Sequence, residues 1–182
     1  EQQHFQWRDD ITDTFRDNSN RLSYWVKRAQ RADSTQAWQD LLAYYITPAA
    51  NQLQVVENQL RFIKMVFPIQ AGTSWNGNIY IPVETSGLPE YAWYDQWPYT
   101  YTHIGEAYDN GLQSFPITTQ VQVDQLINDS TNAMQYSTYT HYGEVYAKEV
   151  GMVYRLLTHW EYQPTQGYRN GFSVLLRAKN YH

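Results

Sequence analysis

Thr100–Tyr108 reads Thr-Tyr-Thr-His-Ile-Gly-Glu-Ala-Tyr and Thr138–Tyr146 reads Thr-Tyr-Thr-His-Tyr-Gly-Glu-Val-Tyr, identical at seven of nine positions. A shorter echo follows at Thr158-His159-Trp160-Glu161-Tyr162, so each internal histidine has a threonine before it and a glutamate and tyrosine close after. Any fold of this chain must accommodate the same aromatic, glycine-containing stretch twice. On a helix, positions i and i+3 share a face, which would bring His103 beside Glu106 and His141 beside Glu144. Gly105 and Gly143 would let the two segments approach closely. Two imidazoles and two carboxylates form a sound donor set for Zn, Fe or Mn, which makes His103, Glu106, His141 and Glu144 the candidate metal ligands. The same spacing also produces ordinary surface ion pairs, and it matches neither His-Glu-x-x-His nor the Glu-x-x-His of carboxylate-bridged bundles. The first reading is therefore no cofactor, with a divalent metal as the alternative.

The segments around the repeat point to a mainly α fold. Phe5, Trp7, Ile11, Phe15, Leu22, Trp25, Val26 and Ala29 keep one apolar face over 5–31, interrupted at Asp17-Asn18-Ser19-Asn20. Asp33 or Ser34 can cap a second helix, and Thr47-Pro48 can start a third that ends before Pro68. Residues 1–67 are thus expected to form a bent helical hairpin, and 117–163 a helical pair with Tyr142, Val145, Val153, Leu156 and Trp160 in register. Residues 68–116 break the pattern: five of the seven prolines fall there, with a Trp75-Asn76-Gly77-Asn78 turn and alternation over Ile79, Ile81 and Val83. The tail 164–182 carries Asn170-Gly171 between strand-like residues, expected as a hairpin or a strand pairing near Ile79. The expectation is one domain over 1–182, a helical bundle with a small β element from the Pro- and aromatic-rich insertion, with α+β as the alternative.

Charge narrows the partners. No Lys or Arg occurs between Lys64 and Lys148, and 68–116 holds five acids and no base, within a net charge of −5. Phosphate neutralisation needs clustered bases, so nucleic acid is not expected. No apolar run reaches the roughly 20 residues of a membrane span, so membrane insertion is not expected either. There is no cysteine, which removes disulfides and thiolate sites. Glu1 in place of a methionine suggests an exported or secreted product, or part of a virion or other particle.

Within the base-free middle, Tyr91, Trp93, Tyr94, Trp97, Tyr99 and Tyr101 put six aromatics into eleven residues, flanked by the acceptors Glu90 and Asp95. Such rings pack cores and also stack on sugars and partner surfaces. These eight residues are the candidate binding surface. The leading expectation is a non-catalytic structural or interaction subunit that binds a protein or glycan partner, or assembles with itself. A metal-dependent hydrolase built on the repeat, and a glycan-binding or glycan-cleaving protein using paired carboxylates, are the alternatives.

Overall fold

The computed structural model describes residues 2–83, 89–129 and 131–181, with backbone alone at 89–91. Strands take up 61% of the chain, in two antiparallel sheets, which overturns the mainly α expectation and the helical bundle with it. The chain divides into two compact units, Glu1–Pro68 with Gly77–Gln96, and Ile69–Asn76 with Trp97–His182.

The first unit is a five-stranded meander: β1 (Gln6–Arg16), β2 (Leu22–Arg31), β3 (Gln39–Pro48), β4 (Gln52–Glu57) and β5 (Leu60–Val66), each paired with the next. The helix expected over 5–31 is the β1–β2 hairpin, and Asp17–Asn20 is its turn. Asp17 Oδ1 accepts from the backbone N–H groups of Ser19 and Arg21, and Asn20 adopts φ 59°. The capping signal at Asp33 is likewise a turn, with Asp33 Oδ1 accepting from the Thr35 N–H and hydroxyl. Pro48 ends β3 at a hairpin rather than starting a helix. Asn58 and Gln59 both have positive φ, 52° and 65°, as a two-residue type I′ connection between β4 and β5 requires.

Val26, Tyr44 and Val55 form one buried cluster of this sheet, with Leu42 and Ile46 against it. Leu60, Phe62 and Ile81 form another, beside Val83 and Tyr94. The alternation at Ile79, Ile81 and Val83 is not a strand: it follows a turn, with Ile79 exposed and Ile81 buried. A 3-10 helix covers Pro89–Tyr94.

The second unit is a six-stranded meander in the order β11-β10-β9-β8-β7-β6, built from β6 (Ser74–Asn76), β7 (Pro98–Asp109), β8 (Ser114–Ile127), β9 (Ser137–Ala147), β10 (Gly151–Tyr162) and β11 (Arg169–Arg177). The helical pair expected over 117–163 is therefore three long strands. The tail is a single strand running straight through Asn170-Gly171 and paired with β10, not a hairpin and not a partner of the Ile79 region. Phe115, Val145, Ala147 and Val153 are its aliphatic and aromatic core, with Tyr108 and Tyr154 packed on it. Among the described residues, no helix is long and apolar enough to cross a membrane.

Candidate functional site

The two repeat copies occupy different strands and take different backbones. The second lies within β9, paired on both sides with β8 and β10. Alternation along it turns Thr140, Tyr142 and Glu144 to a buried face. Glu144 is fully buried, accepts from the Tyr142 and Tyr146 hydroxyls, and sits 2.8 Å from Arg155, its cross-strand neighbour on β10. Burial and this carboxylate hold both phenols well above the ordinary tyrosine pKa, so they remain donors.

The first copy is interrupted by a bulge. Thr102 pairs with Gln120 and Glu106 with Thr118, so three residues of β7 face one of β8. His103 and Gly105 take up the distortion with φ of 50° and 77°. His103 Nδ1 then lies 3.0 Å from Glu106 Oε2, with both side chains more than half exposed. A bulge thus makes the contact expected of a helical turn. The four histidine and glutamate side chains are not brought together as one set. Among the described residues, no group of three or more His, Cys, Asp or Glu is placed to hold a metal ion.

The third echo has a structural partner in the second copy. Thr140-His141 and Thr158-His159 run antiparallel on β9 and β10, so that each threonine lies opposite the other segment's histidine. Thr140 Oγ1 meets His159 Nδ1 at 2.9 Å, while Thr158 turns its hydroxyl to Ser173, also at 2.9 Å.

The aromatic middle serves mainly as packing. Trp97, Tyr99 and Tyr101 are buried. Trp75 packs on Tyr99 and Tyr101 with centroids 5.7 and 4.7 Å away, and Trp97 and Tyr99 pack on Tyr142. Trp93 and Tyr94 lie half-buried against each other, and Asp95 is exposed. The side chains of Glu90 and Tyr91 lie outside the described residues.

An accessible cavity occurs instead on the first unit, where the sequence pointed to helix core. It is a groove of about 540 Å³ lined by Phe15, Arg16, Asp17, Asn18, Ser19, Arg21, Trp25, Tyr45, Gln54, Arg61 and Tyr80. Strand register builds its wall: Trp25 pairs with Tyr45, and Tyr45 with Val56, which faces Arg61. Phe15 stacks on Trp25 at 5.2 Å and meets Tyr45 edge-on at 5.3 Å, and Trp25 meets Tyr45 at 5.3 Å, so three rings form one continuous surface. Trp25 remains 38% exposed, which leaves indole area for a ligand.

The polar edge of the groove is equally fixed. Buried Gln54 offers Oε1 to the guanidinium groups of both Arg61 and Arg21. Arg21 is tied to Asp17 at 2.7 Å, and these hydrogen bonds hold the Asp17 carboxyl below the usual carboxylate range. Three arginines against one aspartate make the lining net positive in a chain whose net charge is −5. The Asp17–Asn20 turn composition was the one local signal near this site, and the register that assembles it is not local.

No family model matches the chain, and neither a curated protein nor a solved structure matches it. Its class is defined by its own architecture, an all-β protein of two antiparallel meander units, the first bearing an aromatic and arginine-lined groove.

Proposed function

We propose that this is a non-catalytic binding protein that holds a glycan in the groove of its first sheet. The observation that carries this reading is the continuous Phe15–Trp25–Tyr45 surface bordered by Gln54, Arg21 and Arg61. Flat apolar rings beside fixed amide, hydroxyl and guanidinium groups suit a sugar, whose C–H face packs on aromatic carbon while its hydroxyls take hydrogen bonds. The sheet holds this surface in place before any ligand arrives, which lowers the ordering cost of binding.

The test is a saccharide array probed with the whole protein, followed by tryptophan fluorescence titration of the bound members. Trp25→Ala should reduce their affinity at least tenfold while leaving the thermal melt close to that of the parent. Binding that survives Trp25→Ala unchanged, or no bound saccharide at all, would overturn the reading.

A further inference from the structure

The charge pattern of the groove points to one class of glycan: we infer that it selects saccharides bearing a carboxylate, with Arg61 as the group that receives it. This rests on the groove being the binding site. Arg61 hydrogen-bonds Gln54 Oε1 and, at 3.4 Å, the Tyr45 hydroxyl, both neutral, and among the described residues no carboxylate pairs with it. The contrast with Arg28 is informative. That guanidinium, 3% exposed, is closed off by Asp9 and Glu57 and sandwiched by Trp7 and Tyr44. Arg61 instead has its orientation fixed by neutral acceptors, with no carboxylate among the described residues matching its charge, at the end of an aromatic wall and with the Tyr80 ring 6.0 Å away.

A planar guanidinium fork binds a carboxylate through two parallel hydrogen bonds, and it gains most where its approach is preset. A uronic or sialic acid residue placed on Trp25 would bring such a carboxylate to the polar edge. Arg21 adds less charge because Asp17 already neutralises it. Arg16 is exposed, with its guanidinium donating to the Asn20 carbonyl, and adds long-range attraction that salt would screen.

The experiment measures affinities for oligogalacturonates and sialyl-oligosaccharides, each beside its neutral methyl ester, using the full chain and the variants Arg61→Gln, Arg61→Lys and Trp25→Ala. The inference expects the acid to bind at least tenfold more tightly than its ester. Arg61→Gln should erase that preference and Arg61→Lys should retain part of it. Trp25→Ala should weaken acid and ester alike, and rising salt should weaken the acid alone. Equal binding of acid and ester, both lost in Trp25→Ala, would leave the groove as a glycan site and overturn the carboxylate inference. Binding of neither form, or binding indifferent to Trp25→Ala, would overturn both. Thermal melts of the arginine variants separate lost recognition from lost folding, because Arg61→Lys keeps the charge and most of the aliphatic stem.

Discussion

Thr140 and His159 meet across β9 and β10, hydroxyl oxygen to Nδ1 at 2.9 Å, joining the second repeat copy to the third echo inside the second sheet. The recurrence of Thr-His in this part of the chain thus has a packing explanation: antiparallel pairing sets each threonine beside the other segment's histidine, and one such pair closes a hydrogen bond on a buried face.

His159 makes the second sheet sensitive to pH. Burial disfavours its cation and lowers its pKa below the ordinary 6.5, with the Glu161 carboxylate opposing only in part. Below about 6.5 the unfolded chain therefore takes up the proton more readily than the folded one, so stability is complete above that value and falls as pH drops through the depressed folded value. The aspartates held low in the fold, Asp17, Asp33, Asp109 and Asp129, lose their contribution only below the ordinary carboxyl value of 3.8. Urea denaturation at intervals from pH 7 to pH 5 should show a decline that His159→Gln flattens. An unchanged slope in that variant would show that another group is responsible.

Glu144 and Arg155 predict a non-additive response. Arg155→Met takes the guanidinium away from a carboxylate with no exposure, and removing one partner of a buried ion pair costs about 3–5 kcal/mol. Glu144→Gln in that background removes the charge while keeping an acceptor for the Tyr142 and Tyr146 hydroxyls, and should restore most of the loss. Chemical denaturation of the two single variants and the double variant tests this. Additive losses would mean that the pair contributes nothing beyond its separate side chains.

A similar contrast separates buried from exposed charge in the first sheet. Arg28 links three strands by donating to Asp9 of β1 and Glu57 of β4, and Tyr44 completes the arrangement by donating its hydroxyl to Asp9 Oδ2. Arg28→Met should cost about 3 kcal/mol, the lower end for a broken buried pair because Asp9 is 34% exposed, since it takes a buried cation away from two carboxylates. Lys27, one residue earlier, pairs with Asp40 at 2.7 Å with both side chains half or more exposed, and Lys27→Met should stay within about 0.5 kcal/mol. Comparable losses in the two variants would mean that burial is not what distinguishes them.

Break points were legible in the sequence where strands were not, but as a helix interruption and a helix start rather than as turns. Asp17–Asn20 interrupts the apolar pattern because it is a hairpin turn, and Pro48 marks the end of β3. The strands carry apolar side chains on both faces, which hides the alternation expected of a half-buried sheet. Tyr142 and Val145 are spaced as on a helix, yet they belong to opposite faces of β9, and both are buried. Val26 and Ala29 repeat this on β2, three residues apart, on opposite faces and both buried. The β-branched and aromatic richness of the repeat, with threonine or tyrosine at four of nine positions in the first copy and five of nine in the second, was the available strand signal. The groove was illegible for a different reason. Phe15, Trp25, Tyr45 and Arg61 come together only through the pairing of five strands, which no local pattern encodes.

Gly171 shows how a turn signal was misread and predicts a local failure. Asn-Gly usually marks a hairpin, but here the glycine sits within β11 opposite Trp160. A Cβ at this position would collide with the His159 carbonyl oxygen and lie 2.5 Å from the Trp160 Cα, which are backbone-level contacts that no rotamer change relieves. The residue is glycine because another strand's backbone comes close, not because the chain bends. Gly171→Ala should therefore push β11 off β10 near Trp160, at a cost of about 1–3 kcal/mol. Hydrogen exchange should show faster amides in β11 and along the adjoining part of β10, while the β1–β2 hairpin of the first sheet is unaffected. Gly105→Ala offers the comparison, since a Cβ there meets nothing within 4 Å and its cost comes from φ 77° alone. If Gly171→Ala left β11 protection intact, the close approach of the two strands at this point would be wrong.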